Sequence, residues 1–222
     1  MSLVSMFKGK GPSGFGYGSS AEDVTAGLDL SGKTILLTGC NSGIGKETLR
    51  VLALRGAHVI AAARSEDKAR AACADVGGET TRVACELSEP ASVRAGAARV
   101  KELGRPLNAI ICNAGIMALP KLTLEQGYEL QFFTNHIGHV ILVTSLLDQL
   151  ADRGRVVMLS SAAHNGAPRE GIQFDNLDGS KGYSPWAAYG QSKLANLLFA
   201  KHLATRLEGT GKTANSVHPG VI

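Results

Sequence analysis

Short aliphatic runs alternate with segments of helical spacing along most of this chain, and this alternation limits the possible folds more than any other feature. Apolar runs of strand length lie at 34–38, 58–62, 80–85, 107–112, 155–160 and 213–218. The segments between them, at about 43–55, 66–76, 90–103, 124–150 and 185–208, have the apolar spacing of helices. Strands that are apolar on both faces are typical of a parallel sheet covered by helices on both sides. We therefore expect an α/β fold with one doubly wound parallel sheet.

The regular alternation begins at Lys33, and the pattern contains neither an internal repeat nor a second domain. A chain of 222 residues is long enough to bury one sizeable core. Residues 1–19 are rich in glycine and should form a flexible arm. Ser20 and Asp23 have the spacing of a helix N-cap, so residues 20–32 should form a leader with a short helix. The folded domain should then span 33–222.

Charge and hydropathy exclude several classes of function. The net charge of +4 is mild and no run of Lys and Arg stands out, so we expect no nucleic-acid partner. The longest apolar stretch, at 140–150, is interrupted by Thr144, Ser145 and Asp148. It is too short and too polar for a membrane span.

The cysteines and histidines predict neither disulfides nor a metal centre. The four cysteines are widely spaced without a Cys-x-x-Cys pair, and no signal peptide is visible. Reduced thiols and a cytoplasmic location are the natural interpretation. His136 and His139 form one helical pair, but a metal site needs further converging ligands, so we expect surface or packing histidines and no metal.

A glycine-rich segment follows the first apolar run and precedes the first helical segment. It reads Thr38-Gly-Cys-Asn-Ser-Gly-Ile-Gly45. Glycines there allow a tight turn and a close backbone approach to a pyrophosphate, and a helix N-terminus favours negative charge. A glycine-rich turn without a ligand is the alternative, but the position between strand and helix favours nucleotide binding.

Tyr189 and Lys193 lie four residues apart in a helical segment, so both side chains leave from one face of the helix. A free phenol is a poor acid or base at neutral pH. A neighbouring ammonium favours the phenolate, which moves a tyrosine toward the range useful for general acid–base catalysis. Because both residue types are common on helix surfaces, this pair alone is weak support for an enzyme.

The motifs taken together resemble those of short-chain dehydrogenases/reductases. The spacing Gly-x-x-x-Gly-x-Gly is similar to the cofactor loop of that family, and further motifs follow in its order over about residues 30–222. These motifs are Asn113-Ala114-Gly115, Asn135, Ser160-Ser161, Tyr189 with Lys193, and Pro219-Gly220. The resemblance implies a Rossmann-type fold and an oxidoreductase that moves a hydride between a nicotinamide cofactor and a carbonyl or alcohol.

The resemblance also implies a role for each site residue. Ser161 would bind the substrate oxygen, Tyr189 would exchange a proton with it, and Lys193 would hold the nicotinamide ribose. Asn135 would anchor a water relay through a local distortion of its helix. The implied cofactor-binding residues are Gly39, Asn41, Ser42, Gly43, Ile44, Gly45, Arg64, Glu86, Leu87, Asn113, Ala114, Gly115, Tyr189, Lys193, Pro219, Gly220 and Val221.

The end of the second apolar run predicts NADP rather than NAD. Members of the family that prefer NAD carry an acidic residue there, which holds the ribose 2′-hydroxyl. This chain has Ala63 followed by Arg64, and an arginine can pair with a 2′-phosphate. Arg64 facing solvent is the alternative. Glu86-Leu87 stands where the family usually has Asp-Leu, which puts the contact near the adenine in doubt.

Three segments are similar to the branch that contains retinol-dehydrogenase-like proteins and the WW-domain oxidoreductase. They are Ser160-Ser-Ala-Ala-His164, Phe174-Asp-Asn-Leu177 and Ser192-Lys-Leu-Ala-Asn196. This resemblance implies a lipophilic aldehyde, ketone or alcohol as substrate. For His164, a role in the substrate pocket and a role in a solvent-facing loop are both open.

The chain stops shortly after Pro219-Gly220, where members of the family normally continue with a substrate-binding loop, so we expect a truncated C-terminal part. This departure keeps open a non-catalytic NADP(H)-binding or interaction protein that lacks a complete substrate lid. A light-dependent enzyme similar to protochlorophyllide reductase is a further alternative.

The helix around 130–150 is apolar on more than one face, and from this we expect a homodimer that packs it and the helix at 185–208 against their mates.

Overall fold

The computed structural model describes Gly9 and residues 11–220. Residues 1–8 and 10 of the arm predicted at 1–19 therefore lie outside the described residues, and so does Val221. The elements are α1 (Ala21–Val24), β1 (Thr34–Thr38), α2 (Gly43–Leu54), β2 (His58–Ala63), α3 (Glu66–Cys73), β3 (Thr80–Ala84), α4 (Pro90–Glu102), β4 (Leu107–Cys112), β5 (Leu124–Glu125), β6 (Tyr128–Glu129), α5 (Leu130–Phe132), a π-helix (Phe133–Ile137), α6 (Gly138–Leu146), a 3-10 turn (Leu147–Gln149), β7 (Leu150–Leu159), a second 3-10 turn (Ala162–Gly166), α7 (Pro185–Arg206) and β8 (Thr213–Val217).

Six of the strands form one parallel sheet in the order β3-β2-β1-β4-β7-β8. From β1 the chain adds β2 and β3 on one side, and it then returns to add β4, β7 and β8 on the other side. The predicted doubly wound α/β fold is therefore confirmed. In such sheets the crevice at the carboxyl ends of the strands where the order reverses is the usual ligand site. Here that crevice lies between β1 and β4.

Two apolar cores cover the two faces of the sheet. Successive side chains of a strand point to opposite faces. Leu36 of β1 accordingly belongs to the core that includes residues of α4, α6 and α7, whereas Ile35 and Leu37 belong to the core that includes residues of α2 and α3. All five residues of β1 are buried. The strand that carries the glycine loop is thus held from both sides.

The helix predicted at 124–150 begins later than expected. Residues Leu124 to Glu129 form the small hairpin β5–β6, whose turn has Gln126 and Gly127 at positive φ (50° and 81°). Helical geometry starts at Leu130, where the Glu129 carboxylate accepts a hydrogen bond from the Phe132 N–H at 2.8 Å. At the other end, β7 begins at Leu150 rather than at 155. The apolar spacing of this region does not distinguish a hairpin followed by a helix from one long helix.

A π-helical segment, Phe133–Ile137, interrupts the helix at Asn135. The local distortion expected at this residue is therefore present. Such one-turn insertions are frequent at functional sites. In this chain the insertion carries Asn135 against α7 and the β4–β5 connection.

The stretch Leu130–Gln149 is the one helical segment of the described residues that is long and apolar enough to cross a membrane, and half of it is buried inside the fold. Buried core helices meet the same criterion of length and composition. Leu142, Val143 and Leu146 of α6 belong to the same core as Val93 and Ala97 of α4. Contacts within the chain therefore cover part of the apolar surface from which we expected a homodimer.

Candidate active site

A cleft of about 530 Å³ opens at the carboxyl ends of the strands, between β1 and β4. The loops after β1, β2, β3 and β4 form one side of it, and α7 closes the other. The predicted residues that line it are Gly39, Asn41, Ser42, Ile44, Gly45, Arg64, Glu86, Leu87, Asn113, Ala114, Gly115, Tyr189 and Lys193. Most of the predicted cofactor-binding residues are thus brought together by the fold.

The glycine loop cannot carry side chains at two of its positions. Gly39 has φ 69°, and a Cβ there would lie 2.7 Å from the Cα of Ala114. A Cβ on Gly45 would overlap the Gly39 carbonyl oxygen and would lie 2.5 Å from Nδ2 of Asn113. Ser42, at the N-cap of α2, makes no capping hydrogen bond with its side chain. The first N–H groups of α2 therefore remain available to an anion in the cleft.

Arg64 and Glu86 lie at the ends of β2 and β3. Arg64 is exposed, and its guanidinium has no ion-pair partner within the described part of the chain. The Glu86 carboxylate turns back and accepts hydrogen bonds from the backbone N–H of Ser88 (3.2 Å) and from its hydroxyl (3.0 Å). The longer side chain is accommodated by this turn and still lines the cleft.

Tyr189 and Lys193 share one face of α7, as their spacing predicts. The Lys193 side chain is 3% exposed, and its Nζ lies 5.5 Å from the centroid of the Tyr189 ring. The ammonium donates a hydrogen bond to the Leu159 carbonyl at 3.1 Å. Burial lowers the pKa of Lys193 to about 8. The cleft thus holds a poorly solvated cation beside a phenol.

Asn135 lies behind the cleft and is completely buried. Its Nδ2 donates to the Ile116 carbonyl and to Oγ of Ser192, both at 2.9 Å, and its Oδ1 accepts from the Ile116 N–H at 2.8 Å. Its backbone carbonyl accepts from Nδ2 of Asn196 at 3.1 Å and is 2.9 Å from Nδ1 of His139. These contacts hold the β4–β5 connection and α7. The water relay expected at Asn135 stays a prediction.

Ser161 is outside the residues that line the cleft. It is the N-cap of the second 3-10 turn, and its Oγ accepts a hydrogen bond from the Ala163 N–H at 3.2 Å. This is the capping role that a serine at the end of a strand commonly plays. His164 is also absent from the lining, and its Nδ1 lies 2.6 Å from the Ser161 carbonyl. The expectation that Ser161 contacts substrate stays a prediction.

Pro219 and Gly220, which were predicted to bind the cofactor, are not brought to the cleft. Pro219 and Gly220 are exposed and do not line it, and Val221 lies outside the described residues. Gly43, with φ 52°, is part of the glycine loop but also makes no part of the lining. The core of the site therefore consists of the glycine loop, the segment at 113–115 and the pair on α7.

Sequence reasoning missed a group of lining residues. They are Ala62, Cys85, Ser88, Ile116, Met117, Leu130, Thr134 and Leu159; Thr38 and Ala63, which belong to motifs noted in the sequence, line the cleft as well. Ala62, Cys85 and Leu159 lie at the end of a strand or directly after it, and Ser88, Ile116 and Met117 lie a few residues further along the connections after β3 and β4. That position was the available signal, because the carboxyl ends of parallel strands meet at one edge. Leu130 and Thr134 are different, since the hairpin that precedes the helix had no clear signal in the sequence and the distortion at Asn135 was expected only from the family resemblance.

The fold and the cleft define a class: a nucleotide-binding α/β protein with a Tyr–Lys pair at its ligand site. The model of the short chain dehydrogenase family matches residues 33–222. The chain therefore belongs to the short-chain dehydrogenase/reductase family.

Relatives include dehydrogenases from plants and animals. The chain is 45% identical to the short-chain dehydrogenase TIC 32 B, chloroplastic, of Brassica napus, with 100% of this chain and 74% of that sequence covered. It is 43% identical to retinol dehydrogenase 12 of Mus musculus, with 89% of this chain and 64% of that sequence covered. The chain thus spans about two thirds to three quarters of these relatives. Its predicted cytoplasmic location stays a prediction.

Solved structures share the fold. A crystal structure of an uncharacterised protein from Mycobacterium paratuberculosis superposes with a TM-score of 0.79 at 41% identity, and the match covers 87% of this chain and 70% of that one. A metagenomic short-chain oxidoreductase in complex with NADP has a TM-score of 0.71 at 26% identity, and the match covers 87% and 84% of the two chains.

Proposed function

We propose that this protein is an oxidoreductase that transfers a hydride between NADP(H) and a carbonyl or alcohol substrate, with Tyr189 as the general acid or base. The observation that carries the proposal is the placement of Tyr189 and the buried Lys193 in the same cleft as the glycine loop. A phosphate-binding loop alone would support only nucleotide binding. A proton donor with a cation beside it adds the group that a carbonyl reduction needs.

The residues of the cleft fit a dinucleotide. Gly39 and Gly45 leave the backbone bare where a Cβ would clash, and the uncapped N-terminus of α2 favours a pyrophosphate. Lys193 would bind the nicotinamide ribose. The cofactor, when bound, supplies the hydride.

Side chains of this protein would transfer the proton to or from the substrate oxygen. During reduction Tyr189 would donate its phenolic proton to the substrate oxygen, and during oxidation it would accept the alcohol proton. The ammonium of Lys193 favours the phenolate that remains. Ser161 would donate its hydroxyl proton to the substrate oxygen; its Oγ accepts from Ala163, and the residue lies outside the lining of the cleft.

The choice of NADP is supported by charge at the end of β2. Ala63 and Arg64 line the cleft, and the described residues offer the Arg64 guanidinium no carboxylate partner. Two structural relatives, the metagenomic oxidoreductase and a short-chain dehydrogenase from Burkholderia cenocepacia, are solved in complex with NADP. The latter has a TM-score of 0.70 at 27% identity, with 86% of this chain and 75% of that chain covered.

Replacement of Arg64 by Ala should weaken NADP(H) binding selectively. Loss of a charged hydrogen bond to the 2′-phosphate costs about 1.5–3 kcal/mol, or roughly 10- to 150-fold in Kd. NADH binding should change little, because NADH has no 2′-phosphate. Fluorescence titration of both reduced cofactors measures the two effects.

A matched control is Arg70→Ala. Arg70 is exposed on α3, pairs with Asp67 at 2.7 Å, and does not line the cleft. Its removal should leave both affinities unchanged. Equal affinity of the wild-type protein for NADPH and NADH would contradict the assignment of Arg64.

We propose a lipophilic aldehyde, ketone or alcohol as the substrate. Met117 lines the cleft and is 58% exposed, and the exposed ring of Trp186 packs edge-on against that of Tyr189 with the centroids 6.2 Å apart. An apolar side chain in the lining and an aromatic ring packed against Tyr189 favour an apolar ligand. Several relatives are named retinol dehydrogenases. NADPH oxidation with a panel of aldehydes, ketones and quinones, followed at 340 nm, tests this proposal.

A second candidate is a non-catalytic protein that binds NADP(H) or another partner. It is favoured by the position of Ser161 and of Pro219 and Gly220, none of which lines the cleft. This candidate predicts NADPH binding without turnover of any substrate in the panel. The oxidoreductase predicts both NADPH binding and turnover, so one experiment distinguishes the two candidate functions.

We further propose that the protein forms a homodimer through α6 and α7. On α7, Leu198 is 44% exposed, and Val140 and Ile141 of α6 are half-buried. Sedimentation at micromolar concentration should show a dimer, and Leu198→Glu should shift it toward monomer because the change places a charge in an apolar interface. Leu54→Glu, at a leucine of α2 that is 52% exposed, should not. A wild-type monomer at that concentration would count against this assembly.

A further inference from the structure

His139 is a fully buried histidine with no role in the chemistry described above. It lies in the first turn of α6, its exposed fraction is 0%, and it does not line the cleft. Its Nδ1 is 2.9 Å from the backbone carbonyl of Asn135, and its Nε2 is 2.9 Å from Oγ1 of Thr38. The ring therefore bridges the end of β1 and the π-helix.

The partners of the ring determine its tautomer. A carbonyl oxygen can only accept, so Nδ1 must carry the proton that it donates to Asn135. Burial lowers the pKa of His139 to about 4, and the ring is therefore neutral at physiological pH. Its Nε2 then has only a lone pair to offer, and the Thr38 hydroxyl must be the donor in that contact.

This arrangement sets the direction of the Thr38 hydroxyl. Its oxygen has two lone pairs, and they accept the backbone N–H groups of Asn113 (3.0 Å) and Ala114 (3.1 Å). Its single proton has two possible acceptors, Nε2 of His139 at 2.9 Å and the Ile111 carbonyl at 3.4 Å. The shorter contact favours His139.

The same short segment is anchored at its other end by Asn135. The side-chain amide of Asn135 both accepts from and donates to the backbone of Ile116. Segment 113–116 is thus held by Thr38 at its start and by Asn135 at its end, and His139 joins these two anchors. Between them, a Cβ on Gly115 would lie 3.3 Å from Nζ of Lys193. The segment therefore forms the wall of the cleft beside the buried ammonium.

We propose that His139 is a positioning residue, which links Thr38 to Asn135 through a neutral imidazole and thereby fixes segment 113–116 against Lys193. The inference rests on the proposed function for its effect on cofactor binding and turnover. Its effect on the segment itself is independent of any ligand. A histidine that merely fills space would be replaceable by an apolar side chain without loosening the segment.

The first test is made on the protein without cofactor. Nitrogen NMR of the wild-type ring should show the proton on Nδ1. In His139→Leu the amides of Asn113, Ala114 and Ile116 should exchange about tenfold faster or more, as expected when a buried hydrogen bond is lost. His139→Gln should restore slow exchange, because its amide can donate to Asn135 and accept from Thr38.

His58→Leu is the matched control. His58 is also a buried histidine and contacts Thr81 and Arg105, but it is the first residue of β2 and so lies at the amino ends of the strands, away from the cleft. The His58→Leu variant should lower the melting temperature without faster hydrogen exchange at the Ala114 amide. A proton on Nε2, or exchange in folded His139→Leu equal to that of His58→Leu, would overturn the proposal. If His139→Leu does not fold, exchange in His139→Gln and the wild-type tautomer decide it.

The second test connects the ring to the cleft. His139→Leu should weaken NADPH binding about tenfold, and His139→Gln should recover most of this loss. Because the ring acts through Thr38, Thr38→Val combined with His139→Leu should bind no worse than the poorer single variant. Unchanged NADPH affinity in folded His139→Leu would overturn the link to the cleft. Failure of the wild-type protein to bind NADPH would instead refute the proposed function, while the tautomer and exchange results would still judge His139.

Discussion

Tyr189→Phe is expected to lower kcat by about 10²–10⁴-fold, the usual contribution of a positioned general acid or base. The change removes the hydroxyl and keeps the ring, which packs edge-on against Trp186. Fold and NADPH affinity should therefore survive. Steady-state turnover of the complete product of the gene, with a substrate for which chemistry limits the rate, measures the effect.

Tyr183→Phe provides the control for loss of a hydrogen-bonded tyrosine hydroxyl. Tyr183 donates to the Leu119 carbonyl at 2.6 Å and accepts from Gln131, and it does not line the cleft. This variant should lose some stability and keep its turnover. Wild-type kcat in Tyr189→Phe would show that another group moves the proton.

Lys193→Ala should lower both turnover and cofactor affinity. Without the ammonium the phenolate is no longer favoured, and we expect kcat to fall by about 10²-fold or more. Loss of the contact to the ribose should weaken NADPH binding about tenfold. Since the two residues act as a unit, the double variant with Tyr189→Phe should be little worse than the poorer single one. Additive losses in kcat would contradict a shared role.

The pH dependence of binding is part of the same prediction. Burial places the pKa of Lys193 at about 8, and a bound anionic cofactor would raise it again. Protonated Lys193 therefore binds NADPH better, and affinity should fall as pH rises through about 8. Lys193→Ala should lose this dependence. A flat wild-type profile between pH 7 and 9.5 would contradict the placement of Lys193 beside the cofactor.

Burial of Lys193 also has a consequence for stability. The pKa of the folded state, about 8, lies below the ordinary value of 10.5. The unfolded chain therefore holds more protons between these two values, and this residue's contribution to stability becomes more favourable as pH rises through that window. At neutral pH the buried charge of Lys193 therefore lowers the stability of the folded protein. Lys193→Met, which keeps the length of the side chain, should accordingly fold without a large loss in melting temperature.

The order of strands and helices was predictable because apolar periodicity reports directly on burial. Every strand of the main sheet lies where an apolar run predicted it, and β7 alone extends well beyond its run. The hairpin at 124–129 was not predictable in this way. Its turn depends on the positive φ of Gln126 and Gly127, and its docking depends on a long-range bond from the Glu129 N–H to the Leu177 carbonyl.

The features of the cleft likewise divide into those that the sequence predicts and those that it does not. Glycines and the i, i+4 pair on α7 were predictable, because their spacing is imposed by local geometry. The direction of the Ser161 hydroxyl was not, since it follows from the 3-10 turn that begins after β7. The pairing of His139 with Thr38 joins residues 101 positions apart. Only the three-dimensional structure distinguishes it from the surface or packing histidine that we expected.

Transfer of deuterium from [4,4-²H₂]NADPH to a substrate carbon is the most direct test of the assignment as an oxidoreductase, because either hydrogen at C4 then carries the label. The complete gene product is incubated with the labelled cofactor and the panel of aldehydes and ketones, and the alcohols are analysed by mass spectrometry. The proposed function predicts an alcohol that carries a single deuterium on the former carbonyl carbon, formed far more slowly by Tyr189→Phe. Tight NADPH binding with no labelled alcohol from any member of the panel would contradict it.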